Sequence, residues 1–128
     1  MIQVNSVTEA RRAKVLVVED EVLLRFPICL YLRDEGLTVL EAASADEALD
    51  VLRSDPDIGL VFSDVRMPGS LDGLGLARIM QSEFPHVHIL LASGHMLRTG
   101  VDVAFLTKPY DFADVAGRIK AAVDGAAG

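Results

Sequence analysis

Five short apolar runs alternate along the chain with longer stretches whose apolar residues recur at helical spacing. Residues 14–19, 38–42, 59–63, 87–92 and 103–107 read as strands; each is a compact run rich in Val, Leu, Ile and Phe, several of them bounded by turn residues. Between them, Glu21 to Glu35 reads as a helix stopped by Gly36, with Leu23, Leu24, Ile28, Leu30, Tyr31 and Leu32 on its apolar side. Pro27 should kink this helix or mark a restart, because proline removes a hydrogen bond. Ser44-Ala45-Asp46-Glu47 has the spacing of a capping box and opens a second helix through Ala48, Leu49 and Leu52. A third runs from about Leu74 to Glu83 and is closed by Pro85, and a last one over 111–124 carries Phe112, Val115, Ile119, Ala122 and Val123 inward. Residues 1–13 read as a loosely held lead-in and 125–128 as a frayed tail, leaving one domain over 14–124. Strands that alternate with helices predict an α/β fold, a parallel sheet covered on both faces, and near-continuous apolar strands are what such double burial requires.

Charged and hydroxyl residues fall where these strands end. Glu19-Asp20-Glu21 ends the first, Asp64 stands between the third and the Pro/Gly loop Val65-Arg66-Met67-Pro68-Gly69, Ser93-Gly94 follows the fourth, and Lys108-Pro109 follows the fifth. In an open parallel sheet that edge is where ligands bind. Each residue also has a plain reading. The acid pair suits a helix N-terminus; Asp64 and Ser93 suit turns; Lys108 suits solvent; Phe105 suits the core. His86, His88 and His95 lack the spacing of a metal cluster and read as structural or surface residues, and Cys29 reads as a buried structural thiol.

Composition narrows the function further. The chain has 128 residues, enough for one compact domain, and is 51% hydrophobic but only 5% aromatic, so the core should be aliphatic. Twelve basic against 19 acidic residues give a net charge of −7, which argues against direct nucleic-acid binding. A single cysteine permits no intrachain disulfide and fits a reducing compartment. No stretch has the length of a membrane span or the apolar core of a secretory signal, so a cytoplasmic protein is expected.

The four fragments VLVVEDE, FSDVRMPG, LLASG and FLTKPY, in that order and at strand ends, resemble the receiver domain of two-component response regulators over residues 14 to about 123. The resemblance implies a flavodoxin-like, doubly wound sheet of five parallel strands in the order 2-1-3-4-5. It implies that Asp64 is the phosphoacceptor, and that Asp20, Asp64 and the backbone carbonyl of Arg66 ligate Mg²⁺ (or Mn²⁺) with support from Glu19. It further implies that Ser93 follows the phosphoryl group, that Phe105 is an aromatic switch, and that Lys108 pairs with Asp64 through a cis peptide to Pro109. A histidine kinase or histidine phosphotransfer protein would supply the phosphoryl group. The chain would then be no enzyme beyond its own phosphotransfer and aspartyl-phosphate hydrolysis. With no room for an output domain, it would signal by protein contacts, with Leu23, Leu24 and Phe26 of the first helix among those that choose the partner.

The chain departs from the pattern between Ser93 and Phe105, where only 11 residues intervene. An average helix alone takes about 11 residues, so the helix between strands four and five should be a single turn or missing, and Gly94 to Asp102 should be a loop. Arg66 could also reach the site with its side chain. Other functions fit less well. A phosphohydrolase of the haloacid-dehalogenase type would carry its nucleophile on the first strand with a second acid two residues on, whereas Asp64 follows the third strand and position 66 is Arg. A flavin or nucleotide binder would want a Gly/Ser/Thr phosphate loop after strand one. A receiver cut from a hybrid kinase, and a receiver that binds partners without phosphate, remain as alternatives.

Overall fold

The computed structural model describes residues 13–95 and 103–127. Five strands, β1 (Lys14–Val18), β2 (Thr38–Ala42), β3 (Ile58–Asp64), β4 (His88–Ser93) and β5 (Ala104–Thr107), form one parallel sheet in the order β2-β1-β3-β4-β5. Four helices accompany them among the described residues: α1 (Val22–Asp34), α2 (Ala45–Ser54), α3 (Gly73–Glu83) and α4 (Phe112–Ala127). The expected fold class is thus the observed one. The expected shortening of a helix between β4 and β5 concerns residues 96–102, outside the described residues, as does the lead-in before Ala13.

Period-two alternation divides the core. Val15 and Val17 point into one layer with Ile28, Cys29 and Leu32 of α1 and Val115, Ala116 and Ile119 of α4. Leu16 and Val18 point the other way, onto Leu49 and Leu52 of α2 and Leu76 and Met80 of α3. Phe62 is the one aromatic among the described buried hydrophobic residues, so the core is aliphatic as expected. Cys29 is fully buried, and burial pushes its thiol up to about 11, which keeps it inert. All three histidines are exposed.

Local chemistry sets the helix starts. Ser44 accepts from the Glu47 amide at 3.1 Å while Glu47 reaches back to the amide of Ala43, the expected reciprocal cap shifted by one residue. Asp72 caps α3 by accepting from the Gly75 amide at 2.9 Å, so the helix begins at Gly73 rather than Leu74. Two expectations need correction. Pro27 does not restart α1, which runs unbroken through it. Both Pro27 and Leu23, whose carbonyl the proline leaves without its helical partner, are exposed, so water can replace the lost bond. The last helix continues to Ala127, past the expected fraying point at Gly125. Among the described residues no helix is long and apolar enough to cross a membrane.

Candidate functional site

Strand register gathers the polar strand ends into one place. Val18 pairs with Ser63 and Asp64 with Ala92, so Glu19 lies abreast of Asp64 at the carboxyl edge. Ser93 pairs with Thr107, which sets Lys108 one residue beyond it. The Lys108 amide donates to the Ser93 carbonyl at 2.7 Å, tying the ends of β4 and β5 together. The peptide between Lys108 and Pro109 is cis, as the resemblance implied.

Lys108 Nζ lies 3.0 Å from Asp64 Oδ1. β4 stands between their strands, so the side chains bridge a gap of roughly 10 Å. A shorter cationic side chain would not span it. Carboxylate oxygens of Glu19, Asp20 and Asp64 all lie within 4.8 Å of one another. Three acids therefore face one another with Lys108 as the adjacent cation. Glu19 is the buried member, 7% exposed. Burial, with added repulsion from Asp64, pushes its carboxyl up to about 6, although the Glu21 amide donates to Glu19 Oε2 at 3.0 Å and opposes the shift.

The sites fit a hard divalent cation by the chemistry of their donors. All are carboxylate oxygens, which Mg²⁺ prefers, and their 4.8 Å spread is close to the about 4.2 Å across an octahedral Mg²⁺ site. Their excess negative charge beside one lysine is what such a cation relieves. A cavity of about 530 Å³ opens over them, lined by Asp20, Asp64, Arg66, Ser93 and Lys108 among others. It is large enough for a phosphoryl group with bound water. Ser93 is 5% exposed, and its Oγ accepts from the His95 amide at 3.2 Å, which leaves its own proton to donate. The Arg66 side chain is exposed at the rim. Phe105 is half-buried and packs on the small cluster of Val65, Ala77 and Leu91, next to β4.

Several features of the site escaped the sequence reading. Gly73, the first residue of α3, lies directly against the Asp64 carbonyl, and its amide donates to the Val65 carbonyl at 2.9 Å. An Asp-Gly at a helix start is the signal, but it reads first as a cap. Beside the acids, Leu23, Leu24, Pro27, Tyr110 and Phe112 line an apolar groove of about 420 Å³ that Glu19 and Lys108 also border. Tyr110 sits edge-on to Phe62 with ring centres 5.5 Å apart, which holds the groove wall in place. Arg25 reaches the acid pair from α1, a contact no local pattern announces.

The profile of the response regulator receiver domain matches residues 15–120. The chain is 37% identical over 101 residues to the nitrogen assimilation regulatory protein NtrX of Azorhizobium caulinodans, covering 77% of this chain and 22% of that protein. It is 34% identical over 116 residues to the sensor kinase CckA of Brucella abortus, covering 84% of this chain and 12% of the kinase. The chain thus spans a minor part of these longer relatives. Among solved structures, the receiver domain of the hybrid histidine kinase CckA superimposes with a TM-score of 0.75 at 35% identity, over 86% of this chain and 98% of that domain.

Proposed function

Since the chain belongs to the response regulator receiver domains, we propose that it is a phosphoacceptor module in which Asp64 takes a phosphoryl group from a histidine kinase or histidine phosphotransfer protein. The observation that carries this reading is the single cluster of Asp64, Asp20, Glu19 and Lys108 at the sheet edge. An O–P bond forms at an Asp64 carboxylate oxygen as the N–P bond of the donor phosphohistidine breaks, and the imidazole leaves with the electron pair. Bound Mg²⁺, held by Asp20, Asp64 and the Arg66 carbonyl with Glu19 in support, would neutralise charge on the transferred group. Lys108 adds a second positive charge on the Asp64 side, and the Ser93 hydroxyl donates to a phosphoryl oxygen. Movement of Ser93 would vacate space for Phe105 to turn inward, a packing change driven by a local charge event. The module catalyses nothing beyond its own phosphotransfer and hydrolysis, and we assign it to the cytoplasm with its kinase. Incubation with acetyl phosphate and Mg²⁺ should yield one phosphoryl adduct by intact-mass spectrometry, lost when EDTA removes the metal. An unmodified protein that binds Mg²⁺ would reject acceptance from small donors, and one that binds no Mg²⁺ would reject the reading.

Docking of the donor falls to the apolar groove and the adjoining turn of α1. Leu23 is 86% and Phe26 58% exposed, and with the exposed Val22 and Leu24 they are grouped at the start of α1; grouped exposed apolar residues, unlike scattered ones, mark interaction surfaces. Truncating both to alanine should slow transfer from a phosphorylated histidine phosphotransfer protein by about tenfold or more, while labelling by acetyl phosphate is unchanged. Equal slowing with both donors would point to damage at the site instead of lost docking. Similarity to the CckA receiver favours a second reading, in which the chain works as the receiver portion of a hybrid kinase.

The raised Glu19 carboxyl gives this module a pH signature. Below about 6 Glu19 holds its proton, and a cation must displace it. Apparent Mg²⁺ affinity should therefore fall by up to about tenfold per pH unit on the acid side of that value. Without metal the sign reverses. A carboxyl raised from 4.5 to about 6 stabilises the fold fully below 4.5, and that contribution is lost as pH rises through 6. Mg²⁺ titrations at about pH 5 and about pH 7.5 check the first statement; equal affinities would exclude Glu19 from the binding.

A further inference from the structure

β2 contributes no carboxylate to the acid cluster, yet both holds on the acid pair's backbone trace to it. The Glu19 amide donates to the Ala42 carbonyl of β2 at 3.1 Å. The Glu19 carbonyl accepts from Arg25 Nη1 at 2.6 Å, and the same guanidinium donates through Nε to Glu41 of β2 at 2.9 Å. Glu41 is gripped from its other oxygen by Arg33 Nη2 at 3.1 Å, and that nitrogen also donates to the Val39 carbonyl at 2.9 Å. The Arg25 side chain is only 16% exposed, against 41% for Arg33. It is a desolvated clamp, not a surface charge.

The Glu19 carbonyl belongs to the peptide that joins Glu19 to Asp20. That unit is planar, so holding its oxygen also helps to fix the position of the Asp20 Cα, the point from which the Asp20 side chain starts. We propose that Arg25, locked in place by Glu41, is a positioning residue that presets the Asp20 and Glu19 carboxylates for a divalent cation. This rests on the metal-site reading above. Arginine suits the task because its rigid fork makes two bonds at once, to a carbonyl and to a carboxylate, which an ammonium group does less well. The Arg25 hydrogen bond is also the main reason the Glu41 carboxyl is held below its ordinary range, so the anchor stays ionised.

Isothermal titration of the full chain with MgCl₂ tests this, with thermal melts by circular dichroism on the same samples. Arg25→Ala should weaken Mg²⁺ binding by about tenfold, the usual effect of losing a group that orients a ligand. Glu41→Ala should act in the same direction by a smaller factor, and Arg25→Lys should recover only part of the loss. Saturating Mg²⁺ should return acetyl-phosphate labelling of Arg25→Ala to the wild-type rate, a split that a general loss of structure would not produce. Should Arg25→Ala fail to fold, Glu41→Ala and Arg25→Lys carry the same comparison. Folded variants whose affinities stay within about twofold of wild type overturn the inference and leave the metal reading standing. A wild-type chain that binds no Mg²⁺ overturns both.

Discussion

Asp64→Asn should abolish the phosphoryl adduct while leaving the fold within about 1 kcal/mol of wild type. The amide is a poor nucleophile and cannot give the acyl phosphate that a carboxylate forms. Its effect on stability is the difference of two opposing changes. The variant loses the ion pair with Lys108, whose side chain is 32% exposed and can turn to water. It also removes one of three mutually repelling carboxylates. Asp64 is among the causes that raise Glu19, second to burial, so part of that strain is relieved. Because the two changes oppose each other and the side chains are nearly the same size, a missing adduct reports chemistry and not unfolding. Mg²⁺ affinity should drop at least about tenfold with the lost ligand. Intact mass after acetyl phosphate treatment, beside a thermal melt, provides the check. An adduct that persists on the asparagine variant would move the acceptor to another residue.

Gly73→Ala should be the most destabilising single change near the site, by about 2 kcal/mol or more, although helix propensity alone favours alanine by about 1 kcal/mol. A Cβ at position 73 would strike the Asp64 carbonyl oxygen and come within 2.8 Å of the Val65 Cα. Both are backbone atoms. They cannot swing aside, because the Val65 amide is bonded to the Ala92 carbonyl of β4 at 2.9 Å and the Val65 carbonyl accepts from Gly73 itself. The start of α3 must lift or the end of β3 must move, and the second displaces the acceptor. A melting temperature lower by about 8 °C and slower labelling by acetyl phosphate are expected together. Gly75→Ala makes the matched control. There a Cβ would meet the Cδ1 end of the Leu71 side chain, which can rotate away, so its stability should change by less than about 0.5 kcal/mol. Equal effects of the two substitutions would show that the close approach of Gly73 to Asp64 carries no special weight.

Much of the molecule was legible because its patterns are local. Apolar runs such as Val15–Val18 and Leu60–Phe62 identify buried strands, since a strand covered on both faces has no polar side to show. Asp64, Lys108 and the acid pair stand at strand ends in the chain itself, and a parallel sheet brings all such ends to one edge. Of the two readings of Pro27, a kink or a restart, the restart does not occur, for an equally plain reason. A proline costs a helix one bond, and that cost depends on whether water can reach the orphaned carbonyl, which is a matter of exposure. The tail past Gly125 was misjudged because composition alone does not show where a helix's last turns end.

By itself the sequence determined the fold class, the receiver family and the identity of the acidic and basic residues at the sheet edge. The fold class and the strand-end residues follow from residue type and short-range order, and the family from the resemblance that four motifs carry. The tertiary structure gave the implied Lys108–Asp64 pair its 3.0 Å contact across β4, and it alone decided that Glu19 is buried enough to hold its proton to about 6, that Gly73 lies on the acceptor's carbonyl, and that Arg25 ties the acid pair to Glu41. The reason is range. Desolvation, close contact and ion pairing act over a few ångströms in space, between residues that stand anywhere from six (Glu19 and Arg25) to 45 (Glu19 and Asp64) positions apart in the chain.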